Sequence, residues 1–216
     1  MFEEIKSKLN ARHVKLVAVS KTHPPERIMQ LYEIGQHIFG ENRAQEMLSK
    51  QAALPKDIAW HLIGHLQTNK VKMIAPFVQL IHSVDSLALL QEIDKQALKA
   101  GRTIDCLLQF HIAQEDSKYG FTEKTAMEML ESPSFLSLKN CRICGVMGIA
   151  TFTDDMAQVR QEFKSLQQIF QRLKNGVFPQ QPHFKEISMG MSGDWEIAVE
   201  EGSTMVRIGS LIFGAR

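Results

Sequence analysis

Cysteine is scarce: Cys106, Cys141 and Cys144 are the only three in a chain of 216 residues. So small and odd a number excludes a disulfide framework. Cys141 and Cys144 form a C-x-x-C pair, but no second ligand pair follows at finger-like spacing, and on a strand positions three apart point to opposite faces. Buried strand cysteines are expected, and no metal. Net charge is just as small, since 25 Lys plus Arg against 24 Asp plus Glu leave +1. That excludes a broad basic face for long nucleic acid or an anionic membrane, while a local anion pocket remains open. No apolar run approaches the roughly 18 residues of a membrane span. The opening residues, MFEEIKSKLN, are acidic where a signal peptide would be apolar, so the expected compartment is the cytoplasm. Low-complexity and Pro/Gly/Ser-rich linkers are also missing, and a single domain over 1–216 is expected. The first strand is not followed by G-x-G-x-x-G, which argues against a dinucleotide-binding sheet.

What the sequence does contain is an alternation of short apolar runs and longer stretches at helical spacing. The runs, rich in Val, Ile, Leu and Met, span 16–21, 37–42, 59–65, 79–85, 104–111, 142–150, 184–189 and 205–208. Helices are predicted over 24–34, 43–53, 68–76, 86–100, 122–130, 154–173 and 194–201. Runs that are apolar throughout suit parallel strands covered on both faces. Eight strand–helix units of about 27 residues predict an α/β fold, a lean (β/α)8 TIM barrel, with a doubly wound open sheet as the alternative.

In such a barrel the C-terminal strand ends carry function. Lys21 closes the first run. If it points inward, Val17 and Val19 lie beneath it, and Leu16 and Ala18 face the helices. An ammonium on an apolar floor is partly desolvated, which favours the neutral amine and attack on a carbonyl; a snorkelling or ion-paired lysine is the other reading. Asn42, at the end of the second run, can hold an oxygen near the lysine or cap a helix. His65, Gln67, Asn69 and Lys70, then His82, Ser83 and Asp85, then Gln109 and His111, predict a polar mouth. After the seventh run, Ser188, Gly190, Ser192 and Gly193 lead into a helix beginning at Asp194, an arrangement suited to an anion. The eighth run places Arg207 and Gly209 on one face and Val206 and Ile208 on the other. Gly209 admits a phosphate close to the backbone and Ser210 adds a donor, although a plain turn would have the same composition. Strands one and eight are neighbours in a closed barrel. Together these parts describe a site for a phosphorylated aldehyde, and pyridoxal 5′-phosphate matches it: aldehyde to Lys21, phosphate to the turns, ring nitrogen to Arg207.

The segments AVSKTHPP (18–25), FGENRAQE (39–46), WHLIGHLQTNK (60–70), HSVDS (82–86), EDSKYGF (115–121), GVMGIA (145–150) and SMGMSGDWEIAVEEGSTMVRIGSLIFG (188–214) run in order across nearly the whole chain. They closely resemble the pyridoxal phosphate homeostasis protein family, single-domain relatives of the alanine racemase N-terminal barrel, of PLP fold type III. The stretch before the first strand is shorter than is usual in that family. The resemblance implies a pyridoxal phosphate aldimine on Lys21, phosphate contacts from Ser192, Gly209 and Ser210, Arg207 at the pyridine nitrogen and Asn42 on the oxygen side. An arginine would keep that nitrogen unprotonated and weaken the ring as an electron sink. It further implies a monomeric carrier or regulator in intracellular vitamin B6 homeostasis, without catalysis, with PLP-dependent apo-enzymes as candidate recipients. The alternative is an amino-acid racemase. The related racemases take a second base, a tyrosine, from an additional domain that 216 residues cannot hold, and the tyrosines here are Tyr32 and Tyr119. Lys118 is a candidate second cofactor contact, or simply a solvated lysine.

Overall fold

Leu16, Val17, Ala18 and Val19 offer no polar side chain to solvent, and they form the buried part of a strand that begins at Lys15. A computed structural model describes residues 1–114 and 119–214. In chain order the elements are α1 (Phe2–Asn10), β1 (Lys15–Val19), α2 (Pro25–Glu33), β2 (Ile38–Glu41), α3 (Ala44–Ala53), β3 (Ala59–Leu62), a 3-10 turn (Thr68–Lys70) running into α4 (Val71–Ile74), β4 (Leu80–Val84), α5 (Leu87–Lys99), β5 (Ile104–Phe110), α6 (Glu123–Leu130), α7 (Pro133–Leu136), β6 (Cys141–Gly148), α8 (Met156–Gly176), β7 (Glu186–Ser188), α9 (Trp195–Glu200), β8 (Met205–Ile208) and α10 (Ser210–Phe213). All eight strands are parallel and pair in sequential order, and β8 returns to β1 with Arg207 opposite Val17. The chain is therefore the expected (β/α)8 barrel, and the open-sheet alternative is excluded.

Seven of the strands stop short of their apolar runs, and β8 matches its run over 205–208. β1 ends at Val19, because Thr22 takes a left-handed φ of +68° that turns the chain out of the sheet. Lys21, Asn42 and His65 accordingly sit in loops beyond their strands. Three helices lie outside the seven predicted. α1 forms despite the short leading stretch: Ile5 and Leu9, one helical turn apart, bury against Leu16, Trp195 and Val206. α7 starts on a Ser132 cap with Pro133 in its first turn. α10 follows Gly209 directly.

The period-two expectation for β1 holds. Ala18 packs in the layer between sheet and helices, whereas Val17 packs inside the barrel with Leu80, Leu107, Cys144, Met147 and Met205. Cys141 packs in the outer layer and Cys144 in the inner one, and burial pushes both thiols up to about 12. Among the described residues no cluster suits a metal ion, and no helix is long and apolar enough to cross a membrane. Gly145, at φ +154°, lies where the β5–β6 register shifts; a Cβ there would stand 1.8 Å from the Glu186 carbonyl oxygen. The interior is not uniformly apolar: His61, His82, Ser188 and Arg207 are all buried.

Candidate cofactor site at the barrel mouth

A cavity of about 840 Å³, within the size range of small-molecule sites, opens at the C-terminal ends of the strands. Lys21, Asn42, Ser192, Arg207, Gly209 and Ser210 all line it. Val19 lines it beside Lys21, whereas Val17, also expected beneath that lysine, packs deeper in the barrel and is not among the lining residues. The lysine turn is fastened from behind. Ser20 Oγ donates to Glu41 Oε1 at 2.6 Å, Lys50 Nζ donates to the Ser20 carbonyl at 2.8 Å, and the Thr22 amide donates to Glu46 Oε1 at 2.5 Å. Asn42 sits where the loops after β2 and β3 touch, since a Cβ on Gly64 would come 2.5 Å from the Asn42 carbonyl oxygen.

The loops after β7 and β8 form the opposite wall. Gly190 turns the chain at φ +94°, Asp194 Oδ1 accepts the Met191 amide at 2.5 Å, and the Gly209 amide donates to Ser192 Oγ at 3.4 Å. A Cβ on Gly209 would press on the Val19 carbonyl oxygen at 3.2 Å, so the loop after β8 lies directly against β1. A Cβ on Gly193 would meet nothing within 4 Å, which leaves room for a ligand over that loop. α10 is tied to the loop after β1 by the His23–Phe213 ring stack at 4.7 Å, and to α2 by Arg27 Nη2 donating to the Phe213 carbonyl at 3.1 Å.

Arg207 rises from β8 into this cavity and is only 4% exposed. Its Nη1 donates to Ser188 Oγ at 2.6 Å and its Nη2 to the Gly148 carbonyl at 3.0 Å. Burial lowers its pKa to about 10, against the opposing pull of Asp194, so the guanidinium stays charged at neutral pH.

The polar mouth is smaller than the sequence suggests. His65 and Gln109 line the cavity together with Tyr119. His65 Nδ1 stands 3.3 Å from Asp85 Oδ2, its ring stacks on Tyr119 at 4.7 Å, and Gln109 Nε2 donates to the Tyr119 carbonyl at 2.9 Å. Gln67, Asn69, Lys70 and His111 are not among the lining residues, and Ser83 Oγ donates to the Gly64 carbonyl instead. His82 is not at the mouth: β4 continues to Val84, so His82 is mid-strand and fully buried. Lys118 lies outside the described residues. His61 and His65 stand at H-x-x-x-H spacing, but one is inside the barrel and the other on the rim, so they cannot share a metal. The sequence reading missed the link from Arg207 through Ser188 to His82, whose signal was a histidine at an inward position of an apolar strand.

Residues 2–216 match the family described as alanine racemase, N-terminal domain. The pyridoxal phosphate homeostasis protein of Aquifex aeolicus is 42% identical over 203 residues, covering 94% of this chain and 87% of that one. The protein of the same name from Vibrio alginolyticus is 37% identical over 220 residues, covering 100% and 92%. PipY of Synechococcus elongatus, solved with PLP bound, superposes with a TM-score of 0.87 at 36% identity, covering 99% of this chain and 100% of that chain. Alanine racemase from Bartonella henselae shares the fold, with a TM-score of 0.72 at 16% identity over 96% of this chain and 59% of that one. The chain thus belongs to the pyridoxal phosphate homeostasis proteins, within the alanine racemase N-terminal domain family.

Proposed function

We propose that this chain holds pyridoxal 5′-phosphate at the mouth of its barrel, with the Lys21 amine as its covalent attachment, and acts in intracellular homeostasis of that cofactor. The observation that carries this is the convergence of Lys21, Arg207 and the Ser192, Gly209 and Ser210 turns on one cavity. The donor set fits: one amine for an aldehyde, one fixed cation for a ring, and two glycine-bearing loops with hydroxyls for a phosphate. When bound, the cofactor supplies an electrophilic aldehyde on an electron-withdrawing ring. Arg207 keeps its own proton, so it would donate to the ring nitrogen without protonating it, which favours carriage over carbanion chemistry. The names and the PLP-bound structure of the relatives support the same reading. Residues 1–216 act as one unit, monomeric and cytoplasmic, with PLP-dependent apo-enzymes as recipients.

Borohydride reduction of the protein after incubation with pyridoxal 5′-phosphate, followed by peptide mapping, is expected to give one adduct, on Lys21. Lys21→Ala is expected to abolish the visible absorption band of the loaded protein. A colourless wild-type protein, or an adduct at another lysine, overturns the assignment. Carriage without catalysis predicts racemisation of a panel of amino acids no faster than with free cofactor. Turnover above that level overturns carriage without catalysis.

A further inference from the structure

At the N-terminal ends of the strands a second cavity, of about 540 Å³, is lined by Lys15, His61, Arg142, His183, Lys185 and Glu186 among others. His61 is only 4% exposed there. Its Nδ1 lies 2.9 Å from His82 Nε2, and His82 Nδ1 lies 2.9 Å from Ser188 Oγ, which accepts from Arg207 Nη1 at 2.6 Å. Side chains on β3, β4, β7 and β8 thus form an unbroken hydrogen-bonded chain through the barrel, from one cavity to the other. The surrounding interior is apolar, and a polar chain persists in such a setting when each member is satisfied.

We propose that His82 and His61 are positioning residues for Arg207, in a chain of hydrogen bonds donated in one direction, from Arg207 to Ser188 to His82 to His61. The proposal rests on the assignment of Arg207 to the cofactor. The direction follows from counting protons. Arginine has no acceptor, so Ser188 Oγ accepts from it. Ser188 is fully buried, and among the described residues its hydroxyl has one other partner, His82 Nδ1. If that nitrogen carried a proton, the serine would accept twice and its own proton would be stranded. The serine therefore donates to His82 Nδ1, His82 carries its proton on Nε2 and donates it to His61 Nδ1, and His61 carries its proton on Nε2, at the second cavity.

Both rings are held neutral: burial, with His61 and Arg207 nearby, keeps the His82 pKa well below the ordinary histidine value, and burial with Lys15 nearby takes His61 to about 3. With Nη1 on Ser188 and Nη2 on the Gly148 carbonyl, the guanidinium plane is pinned at two points. The Ser188 lone pair stays turned to Arg207 because its proton is committed to His82. An apolar residue in place of His82 frees that proton to swing toward another acceptor, turning the lone pair away from Arg207.

The first test needs no cofactor. Nitrogen-15 NMR of the histidine-labelled full chain is expected to show His61 and His82 neutral and protonated on Nε2. Protonation of His82 on Nδ1, or a mixture of tautomers, overturns the proposal whether or not the cofactor binds. The second test is equilibrium binding of pyridoxal 5′-phosphate. His82→Asn keeps an acceptor for Ser188 and is expected to stay within about threefold of wild type, whereas His82→Leu is expected to lose about tenfold, the equivalent of one hydrogen bond. Equal binding by the two variants overturns the positioning role. Should His82→Leu fail to fold, Ser188→Ala breaks the chain at its middle and carries the same expected loss. Wild-type protein that does not bind pyridoxal 5′-phosphate overturns the proposed function instead, and the NMR result then judges the chain alone.

Discussion

Behind the turn that carries Lys21, Lys50 Nζ meets Glu41 Oε1 at 2.7 Å, and the two side chains are 5% and 0% exposed. Lys50 also reaches Glu46 Oε1 at 2.6 Å, and both glutamates bond to the lysine turn, Glu41 through Ser20 and Glu46 through Thr22. Such a pair adds little net stability, because desolvating two charges offsets their attraction. Desolvation raises the Glu41 pKa in spite of Lys50 and Ser20, and Glu41 Oε2 is buried with no hydrogen-bond partner. Removing one partner is different, since it leaves the other charge buried alone. Lys50→Met is therefore expected to lower the unfolding free energy by about 3–5 kcal/mol in urea titration. Adding Glu41→Gln to that variant should restore most of the loss, and a double variant no more stable than Lys50→Met would contradict the ion pair as the cause. Lys50 thus supports the Lys21 turn through the Ser20 carbonyl without lining the cavity.

At the scale of elements, the strands were legible because runs covered on both faces are largely apolar and recur in alternation with helical spacing. Their ends were not legible, because pairing and loop geometry set them. The third run continues past Leu62 as Ile63, Gly64 and His65, yet only the first four residues pair as β3. This is why Gln67, Asn69 and Lys70 fell outside the mouth, whereas His82 is inside the barrel because β4 pairs on to Val84. Alternation placed Val17 inside and Ala18 outside on β1, and put Arg207 and Gly209 on one face, since that depends only on period two. It could not supply the partners of Arg207. Ser188 is 19 residues away and His82, which Ser188 reaches, is 106 residues from it, so the chain exists only once the barrel closes. α1 was hidden for a related reason: its short apolar stripe is stabilised by Trp195 and Val206 from the far end of the sequence.

For the molecule as a whole, two neutral histidines in the interior make folding sensitive to mild acid. His61 has a folded pKa of about 3 against an ordinary value of 6.5, and His82 is also held well below it. Below about pH 6.5 the unfolded chain takes up protons that the folded barrel refuses, so this contribution is fully present above that value and is lost as the pH falls. Each histidine contributes a slope of about 1.4 kcal/mol per pH unit in that range. Glu41 acts with the opposite sign, because a carboxyl raised above 4.5 takes its proton earlier in the folded state and so favours folding as the pH falls through its pKa. Between about pH 6.5 and pH 5 the histidine effect leads, since two groups that refuse protons stand against one that takes a proton up. Urea denaturation at about pH 7, 6 and 5 should therefore show stability falling by up to roughly 3 kcal/mol per unit at the lower end. His82→Asn, which cannot titrate, should show about half that slope. A profile that stays flat down to pH 5 in the wild-type protein would mean that the interior histidines accept protons in place, and the one-way chain to Arg207 could not then stand.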